Sequence, residues 1–239
     1  FNAEYLVPML ERLFLREEQS QNLGLLVVLG FVSGVLGFVV AEAIFPGQSS
    51  LISVLFAAVP LIYSLNQKFL EDESERLPHL PEVEMYLSIF SGLALAFGVL
   101  GNLRPSGFEL QRDIVGISGA AIQDVGFSMI LSNNLTVFAS ILLVSMLVGS
   151  AGAFILSWNA SVFGVFIGEV ASTNPLVSVA YLPHSLFEMS GFVIAGITGS
   201  LVSAAVYRKD LTEDVWRDYA KLLLTGVACI VVGAVLETA

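Results

Sequence analysis

An all-α bundle of membrane-crossing helices is the fold this sequence predicts, on three observations. Of 239 residues, 56% are hydrophobic and only 13% charged, whereas a soluble domain is about a quarter charged. The apolar residues gather in long runs rather than at amphipathic spacing, for a mean hydropathy of +0.83. The runs also match a bilayer in length: Leu23–Ala41 carries no charge and suits a hydrocarbon layer of roughly 30 Å. No segment shows the alternation of a membrane β-barrel. About six spans plus a broken or re-entrant segment are expected.

The first 22 residues mix Tyr5, Leu6, Val7, Leu10, Leu13, Phe14 and Leu15 with Glu4, Glu11, Arg12 and Arg16. That reads as an amphipathic segment lying in the membrane interface or packed on another subunit. Residues 23–132 form an N-terminal set of membrane helices. Leu23–Ala41 is the first, and the chain continuing past it argues against a signal peptide. Leu51–Leu65 is short and carries Pro60, so it is expected to be kinked or tilted. The insert 66–84 holds six acids with Lys68, Arg76 and His79. It reads as a solvated loop, with neither the ligand spacing nor the turn glycine of a calcium loop. Tyr86–Gly101 is the next span, and Ile114–Leu131, which carries Gln123 and Asp124, reads as an interfacial helix.

Residues 133–239 form the C-terminal membrane core. Leu135–Trp158, Phe187–Tyr207 and Leu222–Leu236 are its spans, with Pro183 opening the second of them at a favourable first-turn position. Ala160–Leu182 is interrupted by Glu169 and Ser172-Thr173-Asn174-Pro175 and is expected to be discontinuous or re-entrant, since such breaks survive only where protein or water satisfies the backbone. Gly30/Gly34, Gly149/Ala153, Ala195/Gly199 and Gly196/Ser200 carry the small-residue spacing that lets helices approach closely. Cys229, the single cysteine, reads as a small packing residue.

Lysine and arginine bias sets orientation. It places the N-terminus, the 66–84 insert and Arg208–Lys221 in the cytoplasm of a protein in the cell membrane. A count of the clear spans puts Arg208–Lys221 on the wrong side, so one crossing is missing from the count. The net charge of −11 argues against nucleic acid and against an electrostatic grip on anionic lipid. It suits a high-salt cytosol or reflects a bias in short loops. The expected partners are the lipid bilayer and either further copies of the chain or another protein of a membrane complex.

The candidate site is a polar cluster of Asn133, Asn134, Asn159, His184 and Glu188. His184 and Glu188 are i and i+4, on one helix face, and an acid centred in hydrocarbon costs roughly 2.5–3.5 kcal/mol unless it is compensated. Both are expected to face protein or an internal cavity, with Asn159 within direct or single-water reach. Asn133 and Asn134 read equally well as helix caps.

Leu131-Ser132-Asn133-Asn134, then Ser157-Trp158-Asn159-Ala160-Ser161, then His184 with Glu188, then Ala195-Gly196 and Gly199, resemble the stage II sporulation protein M family. The Trp-Asn-Ala-Ser form, the Phe45-Pro46 turn, Pro60-Leu61-Ile62-Tyr63 and the acidic insert resemble its archaeal branch. The resemblance covers nearly the whole chain and is most specific over Asn133–Ser200. It implies a multi-span membrane scaffold that works beside peptidoglycan-degrading partners in spore-forming bacteria.

Three functions compete. A non-enzymatic scaffold or assembly subunit fits the small-residue faces and the resemblance. A small channel or transporter would line its path with Asn133, Asn159, His184 and Glu188. An intramembrane hydrolase would use His184 and Glu188, but catalytic zinc normally takes three protein ligands. His184-x-x-x-Glu188 lacks the second histidine of the metalloprotease helix, and no nucleophile signature appears. No catalytic, cofactor or metal residue is therefore assigned, and no cofactor is expected.

Overall fold

The computed structural model describes residues 22–59, 80–114, 126–148, 152–209 and 212–238. All but the last residue of the expected amphipathic segment 1–22, the end of Leu51–Leu65 that carries Pro60 (60–65), most of the acidic insert (66–79) and most of the expected interfacial helix (115–125) lie outside them. Among the described residues the chain is helical throughout, without strands, and six helices are long and apolar enough to cross a membrane.

Helix α1 (Leu23–Ile44) starts where the Asn22 side chain accepts the amide of Leu25 at 3.1 Å, and it ends at Phe45, before Pro46. Helix α2 (Ser49–Val59) folds back against it, and Gly37 of α1 sits on the α2 backbone at Ser53 and Ala57. Helix α3 (Leu80–Leu103) follows, then a 3-10 turn (Pro105–Phe108) that continues as helical residues 109–114. Phe108 of that turn is fully buried, stacked on Phe38 at 5.0 Å and edge-on to Phe97 at 5.8 Å.

The C-terminal half contains α4 (Phe127–Val148), α5 (Gly152–Thr173), the short α6 (Pro175–Ala180), α7 (Leu182–Arg208) and α8 (Glu213–Thr238). Each boundary has a local cause. Asn174 caps α6 and Pro175 occupies its first turn. Lys209 adopts a left-handed φ of 59° that closes α7, with its amide donating to Ala205 and Val206. Glu213 and Asp214 open α8, where acids complement the helix dipole.

This arrangement corrects the expected spans. Leu135–Trp158, expected as one crossing, belongs to two helices, one ending at Val148 and the next starting at Gly152. Glycine, serine and alanine at 149–152 carry no charge, so hydropathy alone runs from one helix into the next. Ala160–Leu182, expected to be discontinuous or re-entrant, instead divides between the end of the continuous α5, α6 and the start of α7. Its break at Asn174-Pro175 lies between helices. Phe127–Leu131, expected within an interfacial helix, is the first turn of α4. The hairpin between α4 and α5 supplies the crossing that the charge pattern required.

Direction follows from which residues meet. Gly30 faces the Ile89 carbonyl and Gly34 faces Ala96, so α1 and α3 run parallel. Gly164 faces Ala94 and Gly168 faces Gly98, so α3 and α5 do too. Asn134 meets Glu188 and Ser145 meets Gly199, so α4 and α7 are parallel in the opposite sense. Gly233 meets Glu188 while the Tyr219 hydroxyl donates to the Leu201 carbonyl, so α8 returns antiparallel to α7. Glu84 in the first turn of α3 and Arg208 at the end of α7 therefore share one end of the bundle.

Helix α7 is the hub. Its residues 191–200 are all buried, which marks a helix surrounded by protein rather than one with a single buried stripe. The outer faces remain apolar, with Leu36, Leu95, Leu143, Leu147 and Leu224 all exposed. Lipid rather than water is the solvent those side chains suit.

Candidate functional site

Glu188 lies in the second turn of α7, at the bundle end away from Arg208, and is 8% exposed. Helix α4 brings Asn134 to it, whose side-chain nitrogen donates to Glu188 Oε1 at 2.6 Å. The Asn133 side chain donates in turn to Asn134 Oδ1 at 3.5 Å. Neither asparagine caps a helix: both sit inside α4, Asn134 buried and Asn133 exposed. Their amides are the strongest donors α4 offers at that level.

Helix α8 closes the third side. A Cβ on Gly233 would stand 2.5 Å from Glu188 Cγ and 3.2 Å from the His184 carbonyl oxygen. Glycine there lets α8 ride directly over the Glu188 side chain. One turn further along α8, Glu237 places a second carboxyl on the side of the helix that faces Glu188. Glu237 is exposed, so the cluster is buried on one side and open at the bundle end on the other.

His184 shares the helix face of Glu188 and is half-buried. Its ring meets Tyr181 edge-on at 5.7 Å, and Tyr181 meets Phe166 of α5 edge-on at 5.0 Å. Asn159 does not join the cluster through its amide, which donates to the Ile155 carbonyl of its own helix at 2.8 Å. An asparagine four residues after a carbonyl can satisfy itself this way.

A second polar group holds the other half of the bundle at the same end. Gln111, fully buried, donates to the Ser50 carbonyl at 2.8 Å and to Ser161 Oγ at 3.2 Å. Ser161 donates to Trp158 O at 2.8 Å, and Arg112 pairs with Glu169 at 3.2 Å. Gln111 and Glu237 escaped the sequence reading. Glu237 left a faint signal, an acid four residues after a small residue in an otherwise apolar run. Among the described residues, no group of three His, Cys, Asp or Glu is placed to hold a metal.

Six apolar helices seamed by glycine, with a buried carboxyl held across three of them, define a polytopic α-helical membrane protein. Residues 83–239 match the family model described as stage II sporulation protein M. The chain belongs to that family. It is 33% identical over 121 residues to an uncharacterized protein of Methanocaldococcus jannaschii, an alignment covering 46% of this chain and 68% of that protein. No solved structure matches the chain.

Proposed function

We propose that this protein is a non-enzymatic membrane scaffold, an assembly subunit whose bundle holds copies of itself or another membrane protein in place. The observation that carries the reading is how the buried polar groups are used. Glu188, Asn134, Gln111 and Ser161 reach across helices to one another, and Asn159 is bonded to its own backbone. Cross-helix hydrogen bonds of this kind fasten a bundle in lipid. Backbone-to-backbone glycine seams support the same reading, because they favour rigidity over a path for solute.

Orientation in the cell membrane follows the same proposal. Arg208, Lys209, Arg217 and Lys221 gather at one bundle end, and Arg104 and Arg112 stand at the other. The richer end is cytoplasmic by the basic-residue bias, which also puts the start of α1, and so the N-terminus, on the cytoplasmic side. The Glu188 cluster then faces outward.

A transporter is the competing reading, favoured by one observation: a buried carboxyl with an open neighbour at the bundle end. Two measurements on the intact chain separate the readings. Crosslinking in native membranes followed by mass spectrometry should recover a defined oligomer or a stoichiometric membrane partner. Ion and proton flux in proteoliposomes should stay at the level of empty vesicles. Flux that Glu188→Gln abolishes would overturn the scaffold reading.

A further inference from the structure

Between Glu169 and Glu188 the chain runs eighteen residues without an acid, a lysine or an arginine. The other described corner at the same bundle end, 104–114, carries Arg104, Glu109, Arg112 and Asp113. The uncharged corner also folds back on the bundle. Tyr181, immediately after α6, meets Phe166 of α5 edge-on at 5.0 Å. Phe166 lies seven residues before the end of α5 at Thr173, about 10 Å along the axis at a helical rise of roughly 1.5 Å per residue. Helix α6 therefore runs down the side of α5 instead of standing above it. Its inner side is the buried Ser178, and its outer side is apolar, with Leu176 84% and Val179 59% exposed. Leu182, Leu186 and Phe187 continue that exposed apolar surface onto the first two turns of α7.

The polar groups of this corner do not call on water. Each of its four hydroxyls donates to a carbonyl of its own segment at 2.7–2.9 Å: Ser172 to Glu169, Thr173 to Val170, Ser178 to Pro175 and Ser185 to Tyr181. The Asn174 side chain accepts the Val177 amide, and Pro175 and Pro183 have no amide hydrogen to satisfy. A chain reversal survives in contact with lipid only when its polar groups are met in this way.

We propose that the α5–α6–α7 corner is embedded in the bilayer leaflet at the bundle end away from Arg208, with Leu176 and Val179 among the lipid acyl chains. Helix α6 then acts as an anchor at the boundary between headgroups and hydrocarbon, where interfacial helices sink their apolar face about 5–10 Å. The charged corner 104–114 meets water and headgroups at the same end. One corner in lipid and one in water set the depth and tilt of the bundle.

Fluorescence of the full chain in phosphatidylcholine nanodiscs tests the assignment. In a Cys229→Ala background, Leu176→Cys, Val179→Cys, Leu95→Cys and Glu109→Cys are each labelled with the environment-sensitive dye NBD. Labels at Leu176 and Val179 should match the one at Leu95 on the outer face of α3, with blue-shifted emission, quenching by doxyl-labelled lipid and protection from aqueous iodide. The label at Glu109 should be quenched by iodide instead. Leu176 protrudes from the surface, so if Val179→Cys fails to fold, Leu176→Cys carries the test alone. Iodide quenching at Leu176 as strong as at Glu109 would overturn the proposal by placing the corner in water. Protection from both quenchers would overturn it by placing protein, such as a second copy of the chain, over α6. The result is independent of the scaffold reading, which stands or falls on flux and crosslinking.

Discussion

Replacing Gly164 and Gly196 by alanine adds the same methyl group to two helices of one bundle, and the structure gives the two changes different signs. At Gly164 the new Cβ would run into the Ala94 carbonyl oxygen, with Ala94 C and Cα both at 2.9 Å. All three atoms are backbone. Relief to the roughly 3.5 Å of an ordinary carbon contact requires α3 and α5 to separate, and Gly98 and Gly168 hold the same seam with a Cβ-to-oxygen clearance of 2.6 Å. Overpacking of this kind costs about 1–3 kcal/mol. Against it stands the helix propensity gained by removing a mid-helix glycine, up to about 1 kcal/mol. With the full propensity gain subtracted, the net loss is up to about 2 kcal/mol, equivalent to a drop of up to roughly 8 °C in Tm for a chain this size. At Gly196 the Cβ would meet only side-chain ends, Leu156 Cδ1 at 3.3 Å and Ile141 Cγ2 at 3.6 Å. Those methyls yield by a few tenths of an ångström, so Gly196→Ala should melt at or above the wild-type temperature. Thermal melts of both variants in one detergent check the pair. A Gly164→Ala protein as stable as Gly196→Ala would refute the backbone-contact reasoning.

Asn134→Ala leaves Glu188 Oε1 without its donor and should cost about 1–3 kcal/mol. Glu188→Gln preserves the acceptor, and a double-mutant cycle giving less than about 0.5 kcal/mol of coupling would remove the bond from the account of stability. Arg112→Ala breaks a pair whose side chains are 36% and 44% exposed, so its melt should shift by less than about 1 kcal/mol. In a Cys229→Ala background, cysteines at the exposed positions Glu84 and Lys209 should be labelled from one face of sealed vesicles, and one at Arg104 from the opposite face. Labelling of Glu84 and Lys209 from different faces would contradict the parallel packing of α3 and α5.

Much of the fold was legible because lipid simplifies the code. A charge-free run such as Leu23–Ala41 has few stable alternatives to a helix, and α1, α3, α7 and α8 lie where their runs predict. The division between α4 and α5 was hidden because residues 149–151 and their flanks carry no charge. The charge rule detected the missing crossing but could not place it. Within the site, the i, i+4 spacing put His184 and Glu188 on one face, and Asn134 was named without its partner. Asn159 looked equivalent to Asn134 in sequence. Only the helix directions separate them: α4 runs beside α7 at the level of Glu188, while the Asn159 amide turns back to its own carbonyl ladder.

The polar fasteners share one end of the bundle, and that placement has a physical reason. The α4–α7–α8 group is held there by the Asn134–Glu188 bond, over which Gly233 seats α8, and the α1–α2–α3–α5 group by Ser50, Gln111, Ser161 and the Arg112–Glu169 pair. Glycine seams run through the middle of the bundle and on to that end, where close backbone approach costs no polar group. Near the level where hydrocarbon gives way to headgroups, polar side chains become affordable, and they specify register more sharply than packing can. Gly226 and Gly191 would allow α8 to slide along α7, but the seat of Gly233 over the Glu188 side chain allows one register. The glycines therefore set how closely the helices approach, and the polar end sets where along one another they stop.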